Sequence, residues 1–303
     1  MKIVTLTLNP AFDIHCFAEN FKPYGESVVD IISKDAGGKG VNISRALTEN
    51  GTENLAVLIL GKENGGEFLS LLDTYGMKSK AIYCNGRIRE NITLHEKDKP
   101  ETRISFRGFS CDASVFDEIR ELIGEINEGD IVTFTGSLPV GITSADALAF
   151  LGELKACGAK IVIDSKSVTL SELIAFKPWL IKPNKDEAES YSKNSVDSAE
   201  DAKSFAKSLN ERGIENVIIS LGEDGAVMSS LSGELHVKAP RINSVSTIGA
   251  GDSMIAGFID GFVKGLAPDE CLKRAIAFGS AACLSEGTNP PIKTDVCRLL
   301  EEI

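Results

Sequence analysis

Short apolar runs recur along the chain, each followed by a stretch with helical spacing. Leu55 to Leu60, Ile131 to Thr135, Lys160 to Asp164, Trp179 to Lys182 and Val217 to Leu221 are rich in Val and Ile and lack polar alternation. Strands covered on both faces read this way, so these runs predict a mostly parallel sheet flanked by helices. The helical stretches between them are Val41 to Asn50, Ser114 to Asn127, Ser144 to Cys157 and Ser198 to Arg212. Strand alternating with helix is the pattern of a doubly wound α/β fold, whose ligands sit outside the carboxyl ends of the strands. Gly136-Ser137, Pro183-Asn184 and Gly222 each follow a predicted strand, which points to one composite site.

Two stretches break the alternation. Phe12 to Asp35 and Ala81 to Gly108 hold short alternating segments (Ser27 to Ile31, Asn91 to Leu94, Thr102 to Phe106) with turn residues between them. They predict a small antiparallel sheet inserted as a lid, at about 12–35 and 81–108, into one α/β domain spanning 1–303. Such a sheet has one face to spare for a ligand or a second subunit. Ser190 to Lys203 reads as a surface loop running into a solvated helix.

With 303 residues, 43% hydrophobic and 25% charged, the chain has the composition of a globular protein with a sizeable core. The formal net charge of -12 argues against nucleic acid or an anionic membrane as partner. An anionic substrate must then be drawn in by local cations and backbone N–H groups. Seven cysteines stand singly at 16, 84, 111, 157, 271, 283 and 297. That spacing suits neither a disulfide framework nor a zinc site, and predicts reduced, mostly buried thiols in a cytosol. Met1 to Leu8 is too short and too β-branched for a signal peptide, and no apolar run approaches membrane-spanning length. The expected location is cytoplasmic.

The most telling motif is Ser246-Thr247-Ile248-Gly249-Ala250-Gly251-Asp252-Ser253, which runs at once into the apolar Met254 to Ile259. The first N–H groups of a helix lack intrahelical partners and carry partial positive charge, so bare backbone at a helix start binds anions, phosphate above all. A carboxylate there is electrostatically wrong unless it has work to do. Accepting a proton from a hydroxyl that attacks a phosphoryl group is such work, and Asp252 is placed for it. Asp and Ser are also ordinary N-cap residues.

Further motifs keep it company. Gly37-Gly38-Lys39-Gly40-Val41-Asn42 joins small backbone, a cation and an amide at a helix start. It fails the Walker A spacing, yet suits a polyhydroxylated ligand as well as a plain turn. Asn9-Pro10-Ala11-Phe12-Asp13 ends the first strand and puts Asp13 where main sheet gives way to insert, either to hold vicinal hydroxyls or to form an Asx-turn. Asn184 and Glu187, in Lys182-Pro183-Asn184-Lys185-Asp186-Glu187, share a helix face. They can organise magnesium through its retained waters or form a capping box. Ser220 to Ala226 reads as a hairpin turn or as one wall of a nucleotide site.

Taken together, these segments, from Asn9 to Gly287, resemble the PfkB (ribokinase-like) carbohydrate kinases. Thr7 to Asp13, Gly136-Ser137-Leu138-Pro139 and Lys182-Pro183-Asn184 are similar to the branch that phosphorylates hexose phosphates. The resemblance implies a ribokinase-like fold and ATP-dependent transfer to a hydroxyl, first of all from fructose 1-phosphate to fructose 1,6-bisphosphate. Tagatose 6-phosphate and fructose 6-phosphate are the alternatives within the branch. It implies Asp252 as base, with the N–H groups of Gly249, Ala250 and Gly251 on the transferring phosphoryl. Asp13, Gly37, Gly38, Lys39 and Asn42 would hold the sugar, with Ser137 nearby and Arg89 on the substrate phosphate. Asn184 and Glu187 would organise Mg2+ and the ATP phosphates, beside Lys182. Ser220, Gly222, Glu223, Asp224 and Gly225 would line the nucleotide. The lids of such kinases often pair, which implies a homodimer.

Departures from the branch are specific. Its early lid carries Gly-x-x-Asn-Arg, whose arginine helps bind the substrate phosphate; here the segment is Gly25-Glu26-Ser27-Val28. Glu90 stands before Asn91, and Phe106-Arg107-Gly108-Phe109 replaces the usual Asn-Gly-Pro stretch, leaving Arg103 or Arg107 as substitutes for the lost charge. The lost cation favours a rival reading, a kinase of an unphosphorylated sugar or nucleoside. A non-catalytic sugar-phosphate sensor is a second, opposed by the retained Asp252, Asn184 and Glu187. A dinucleotide-dependent dehydrogenase is excluded, because no Gly-x-Gly-x-x-Gly follows the first strand.

Overall fold

The computed structural model describes residues 1–303. Its strands are β1 (Ile3–Thr7), β2 (Ala11–Ala18), β3 (Asp30–Gly37), β4 (Leu55–Gly61), β5 (Ser79–Cys84), β6 (Arg89–Glu96), β7 (Thr102–Ser105), β8 (Ile131–Thr135), β9 (Lys160–Asp164), β10 (Leu180–Ile181), β11 (Asn216–Ser220), β12 (Ala226–Ser230) and β13 (Gly233–Val237). Its helices are α1 (Lys39–Glu49), α2 (Gly65–Thr74), α3 (Val115–Ile123), α4 (Ser144–Ala156), α5 (Leu170–Phe176), α6 (Lys185–Ser192), α7 (Ala199–Asn210), α8 (Ala250–Val263), α9 (Pro268–Ala282) and α10 (Lys293–Leu300).

Nine strands form the main sheet in the order β13-β12-β11-β10-β9-β8-β1-β4-β5, parallel from β5 to β11 and closed by an antiparallel meander. Successive side chains on a strand point to opposite faces, and the core divides accordingly. Val4, Leu6, Ile161, Ile163, Val217 and Ile219 pack into the larger cluster, with Phe68, Ile119, Leu151 and Leu209 of the helices on that side. Ile3, Val162 and Ile218 pack into the other, against Ile43, Ile255, Ile259, Leu272 and Val296 of α1, α8, α9 and α10. Both faces are covered, which is why these strands show no polar alternation.

Three boundaries differ from expectation. The helix expected over Ser114 to Asn127 ends at Ile123, where Gly124 takes φ 68°. The run Trp179 to Lys182 contributes only two residues to the ladder. Ser79–Cys84, which overlaps the expected lid start at Ala81, is the edge strand of the main sheet, paired in parallel with β4.

The lid is a separate sheet in the order β3-β2-β6-β7. Its outer pairs are antiparallel as expected, but its central pair, β2 with β6, is parallel. The reason lies in the main sheet. β2 follows β1 and β6 follows β5 after short links, and β1 and β5 point the same way, so both lid strands leave the same edge in the same direction. Within the expected alternating segment Ser27 to Ile31, strand pairing begins only at Asp30. The thiols are all free, but contrary to expectation only Cys16 and Cys271 are buried; Cys84, Cys111 and Cys283 are partly exposed, and Cys157 and Cys297 lie at the surface. No helix is long and apolar enough to cross a membrane.

Candidate active site

The carboxyl ends of β1, β8, β9 and β11, the start of α8 and the root of the lid surround one cleft of about 1630 Å³. At its centre α8 begins. Gly249 adopts φ 79°, a left-handed conformation that a side chain disfavours, and no side chain caps the helix. Of the leading N–H groups of α8, that of Ala250 reaches Thr247 O at 3.4 Å, while those of Gly251 and Asp252 have no protein partner and remain available to an anion. Lys182, itself only 5% exposed, adds charge there: its Nζ lies 3.1 Å from where a Cβ on Gly251 would stand.

Asp252 lies in the first turn of α8 and is 6% exposed. Its Oδ2 accepts a 2.8 Å hydrogen bond from Asn42 Nδ2 of α1. Burial raises its pKa to about 6; the Asp164 charge pushes the same way, while Lys39, Asn42 and Lys182 oppose. Lys39 Nζ bonds Asp164 Oδ2 at 3.0 Å. Burial works against the Lys39 charge, but Asp164, Asp252 and Glu187 more than offset it and hold its pKa above the ordinary value. The result is a buried carboxylate, near neutrality in its titration, beside a firmly charged ammonium.

The lid side is built on Asp13, whose Oδ1 accepts from Asn91 Nδ2 at 2.9 Å. Burial raises its pKa against that bond and against the Arg89 charge. Arg89 donates through Nη2 to Asn9 O at 3.4 Å, and Asn9 Nδ2 donates to Ser137 Oγ at 3.1 Å. Of ten buried side-chain polar atoms without a protein partner, six line this cleft, on Thr7, Asn9, Asn42, Arg89, Asn91 and Thr135. Buried polar atoms are normally satisfied, so this concentration matches a ligand that brings many hydroxyls of its own.

The far wall carries the nucleotide candidates. Asn184 caps α6: its side chain accepts from the Glu187 N–H at 2.8 Å and Glu187 Oε2 accepts from the Asn184 N–H at 3.1 Å. Only Glu187 Oε1 faces another charge, Lys166 Nζ at 3.9 Å. Ser220 ends β11, and Gly222–Asp224 forms a 3-10 turn into β12, so the segment is a hairpin turn that also lines the cleft.

Asp13, Gly38, Lys39, Asn42, Arg89, Ser137, Lys182, Asn184, Glu187, Ser220, Gly222 to Gly225 and Gly249 to Asp252 all line this one cleft. Gly37 does not. It ends β3 with its Cα against the Asp13 carboxylate, where any Cβ would overlap it, so it backs the site rather than facing it. Neither suggested substitute for the lost lid cation reaches the cleft: Arg107 is exposed, and exposed Arg103 is held by Glu101 at 3.2 Å. Ser27 instead accepts from the Lys22 N–H at 2.8 Å in a lid turn. Residues the sequence did not single out are Asp164, Asn91, Lys166 and Arg241, all lining the cleft. Asp164 ends a predicted strand, as Thr135 does, and that position was the available signal.

A family model, pfkB family carbohydrate kinase, matches residues 7–295. The chain belongs to the PfkB carbohydrate kinase family. It is a sugar kinase. The 1-phosphofructokinase of Haemophilus influenzae is 33% identical over 282 residues, covering 92% of this chain and 90% of that relative. The 1-phosphofructokinase of Bacillus subtilis is 31% identical, covering 94% and 93%. Among solved structures, phosphofructokinase-2 from Escherichia coli in complex with substrates and products superposes with a TM-score of 0.92 at 26% identity over 99% of each chain. Ribokinase from Thermotoga maritima, at 18% identity and a TM-score of 0.79 over 99% of each chain, supports the fold alone.

Proposed function

We propose that this kinase transfers the γ-phosphoryl group of ATP to the C6 hydroxyl of fructose 1-phosphate, giving fructose 1,6-bisphosphate and ADP. The observation that carries the reading is Asp252, buried, held by Asn42, and set at an uncapped helix start in a cleft rich in unpartnered polar atoms. The fructose 1-phosphate assignment draws on relatives named 1-phosphofructokinase that align over nine-tenths of the chain.

In this reading the sugar lies between Asp13, Asn42 and Asn91, with Arg89 as the cation for its phosphate. The transferring group passes through a loose transition state with charge spread over its oxygens, so the protein contributes position and field. The N–H groups of Gly249, Ala250 and Gly251 face that charge, and Lys182 and Lys39 add to it. Asp252 accepts the hydroxyl proton as the new bond forms.

Asn184 Oδ1 and Glu187 Oε2 are already spent on the α6 cap, and no cluster of three or more acidic, histidine or cysteine side chains stands ready for a metal. That donor set fits magnesium held through its waters by Glu187 and the ATP phosphates, since Mg2+ sheds water reluctantly. When bound, the ion neutralises phosphate charge. The lid closes over the sugar and keeps water from the reacting phosphoryl. Reduced thiols and the absence of a membrane-crossing helix are compatible with a cytoplasmic site of action.

ADP release with magnesium and ATP tests the assignment, run against fructose 1-phosphate, fructose 6-phosphate, tagatose 6-phosphate and the free sugars. The highest kcat/KM is expected on fructose 1-phosphate. Turnover of a free sugar alone would mean that Ser27 marks a change of substrate.

A further inference from the structure

Two lid strands reach the loop behind Gly249 by different routes. His15 of β2 faces the loop 283–288: its Nε2 lies 3.6 Å from where a Cβ on Gly287 would stand. Tyr75, which ends α2, takes the other route. Its hydroxyl donates to Asp35 Oδ1 of β3 at 3.0 Å and accepts from the Ala36 N–H at 3.4 Å. The Arg45 guanidinium stacks on the Tyr75 ring at 3.8 Å, and its Nη1 donates to Thr288 O at 3.5 Å. Thr288 in turn packs on Gly249, its Cα and Cβ lying 3.7 and 3.8 Å from the place of a Cβ there.

Arg45 is a costly residue for this position. It is 6% exposed, its Nε has no partner, and no carboxylate pairs with it. A buried guanidinium without an ion pair destabilises, and an apolar side chain of similar volume would fill the space at lower cost. What an apolar residue cannot do is hold the Thr288 carbonyl and the Tyr75 face at once. Arg45 also lies three residues from Asn42 on α1, hence on the same helix face as the amide that holds Asp252.

We propose that Arg45 is a positioning residue linking the lid to the start of α8, so that the Gly249–Gly251 anion site is set when the lid closes over the sugar. The inference rests on the kinase reading given above. Movement of β2 and β3 shifts both sides of the 283–288 loop. Gly249 has no side chain to absorb the shift, so it passes to the backbone that receives the phosphoryl group. Such a link favours transfer to sugar over transfer to water, because the phosphoryl site is completed only under a closed lid.

The test is the ratio of fructose 1-phosphate phosphorylation to ATP hydrolysis without sugar, measured in wild type, Arg45→Lys and Tyr75→Phe. Arg45→Lys keeps the charge and loses the planar stack and fork. Its ratio is expected to fall about tenfold or more, read as a loss of transition-state discrimination. Tyr75→Phe keeps the stack and loses the two hydroxyl bonds, so a smaller fall in the same direction is expected. It carries the test alone if Arg45→Lys fails to fold. A merely structural role lowers both rates together, and a wild-type ratio in the folded variants would overturn the link. Absence of sugar-dependent turnover in wild type would sink the kinase reading instead.

Discussion

Asp252 shows how burial and four neighbours set the titration range of one carboxylate. Its pKa is raised from 3.8 to about 6, so the proposed base is lost as pH falls through that value. The rate should then drop about tenfold per pH unit below it. Lys39 lowers this pKa and Asp164 raises it, so Lys39→Met should move the acid limb of kcat/KM up and Asp164→Asn should move it down. Shifts of equal sign would contradict the account. Stability follows the same linkage. The folded form binds the proton more tightly than the unfolded chain, so this group's contribution is full below about pH 4 and lost as pH rises through about 6. Asp252→Asn should therefore melt higher than wild type near pH 8, and the gap should close toward pH 4, as thermal scans at several pH values will show. Asp252 and Asn42 were legible in the sequence because each follows a glycine cluster at a helix start. Asp164 was not, because an Asp ending a strand looks like any strand end. Only the fold brings it to Lys39, 125 positions away.

At the scale of elements, the site depends on how closely α1 lies on β1. A Cβ on Gly40 would stand 2.6 Å from Leu6 O, well inside contact distance. Gly40→Ala should push the start of α1 off the strand and carry Lys39 and Asn42 with it. We expect kcat/KM to fall at least about tenfold, since small misplacements of reacting groups are costly. A stability loss of about 1–3 kcal/mol should accompany it, the usual range for overpacking. Steady-state kinetics and denaturant melts check both, and an unchanged kcat/KM would show that the approach does not matter. The strands β4 and β8 to β11 and the helices read from periodicity lie within a few residues of expectation, with one exception, while α2, α5, α9 and α10 were not read. The exception, α3, is cut short by Gly124, whose φ of 68° the pattern did not reveal. Lid strand direction was not legible, because β2 and β6 lie far apart in sequence and their parallel pairing is inherited from β1 and β5.

At the scale of the molecule, the lid leaves Ile31, Ile32, Ile104 and Phe106 exposed, at 67%, 59%, 42% and 50%. Exposed apolar surface of this kind marks an interface, and we propose that a second copy covers it. Sedimentation of wild type should show a dimer, and Ile31→Asp with Phe106→Asp should shift it to monomer; a monomeric wild type would refute the pairing. The cleft itself was legible as a set of strand ends, because parallel α/β sheets gather their loops at one edge. Its lid contribution was read less fully: the lost arginine at Ser27 was visible, but not that Arg103 and Arg107 lie outside the cleft. The central claim, that Asp252 is the base for transfer to fructose 1-phosphate, is met most directly by comparing wild type with Asp252→Asn at saturating ATP, magnesium and sugar phosphate. Wild type should release fructose 1,6-bisphosphate and ADP in equal amounts, while Asp252→Asn, still folded and still binding both substrates, should lose about 10²–10⁴-fold in kcat, the range of a general base. A near-normal rate in Asp252→Asn would contradict the account.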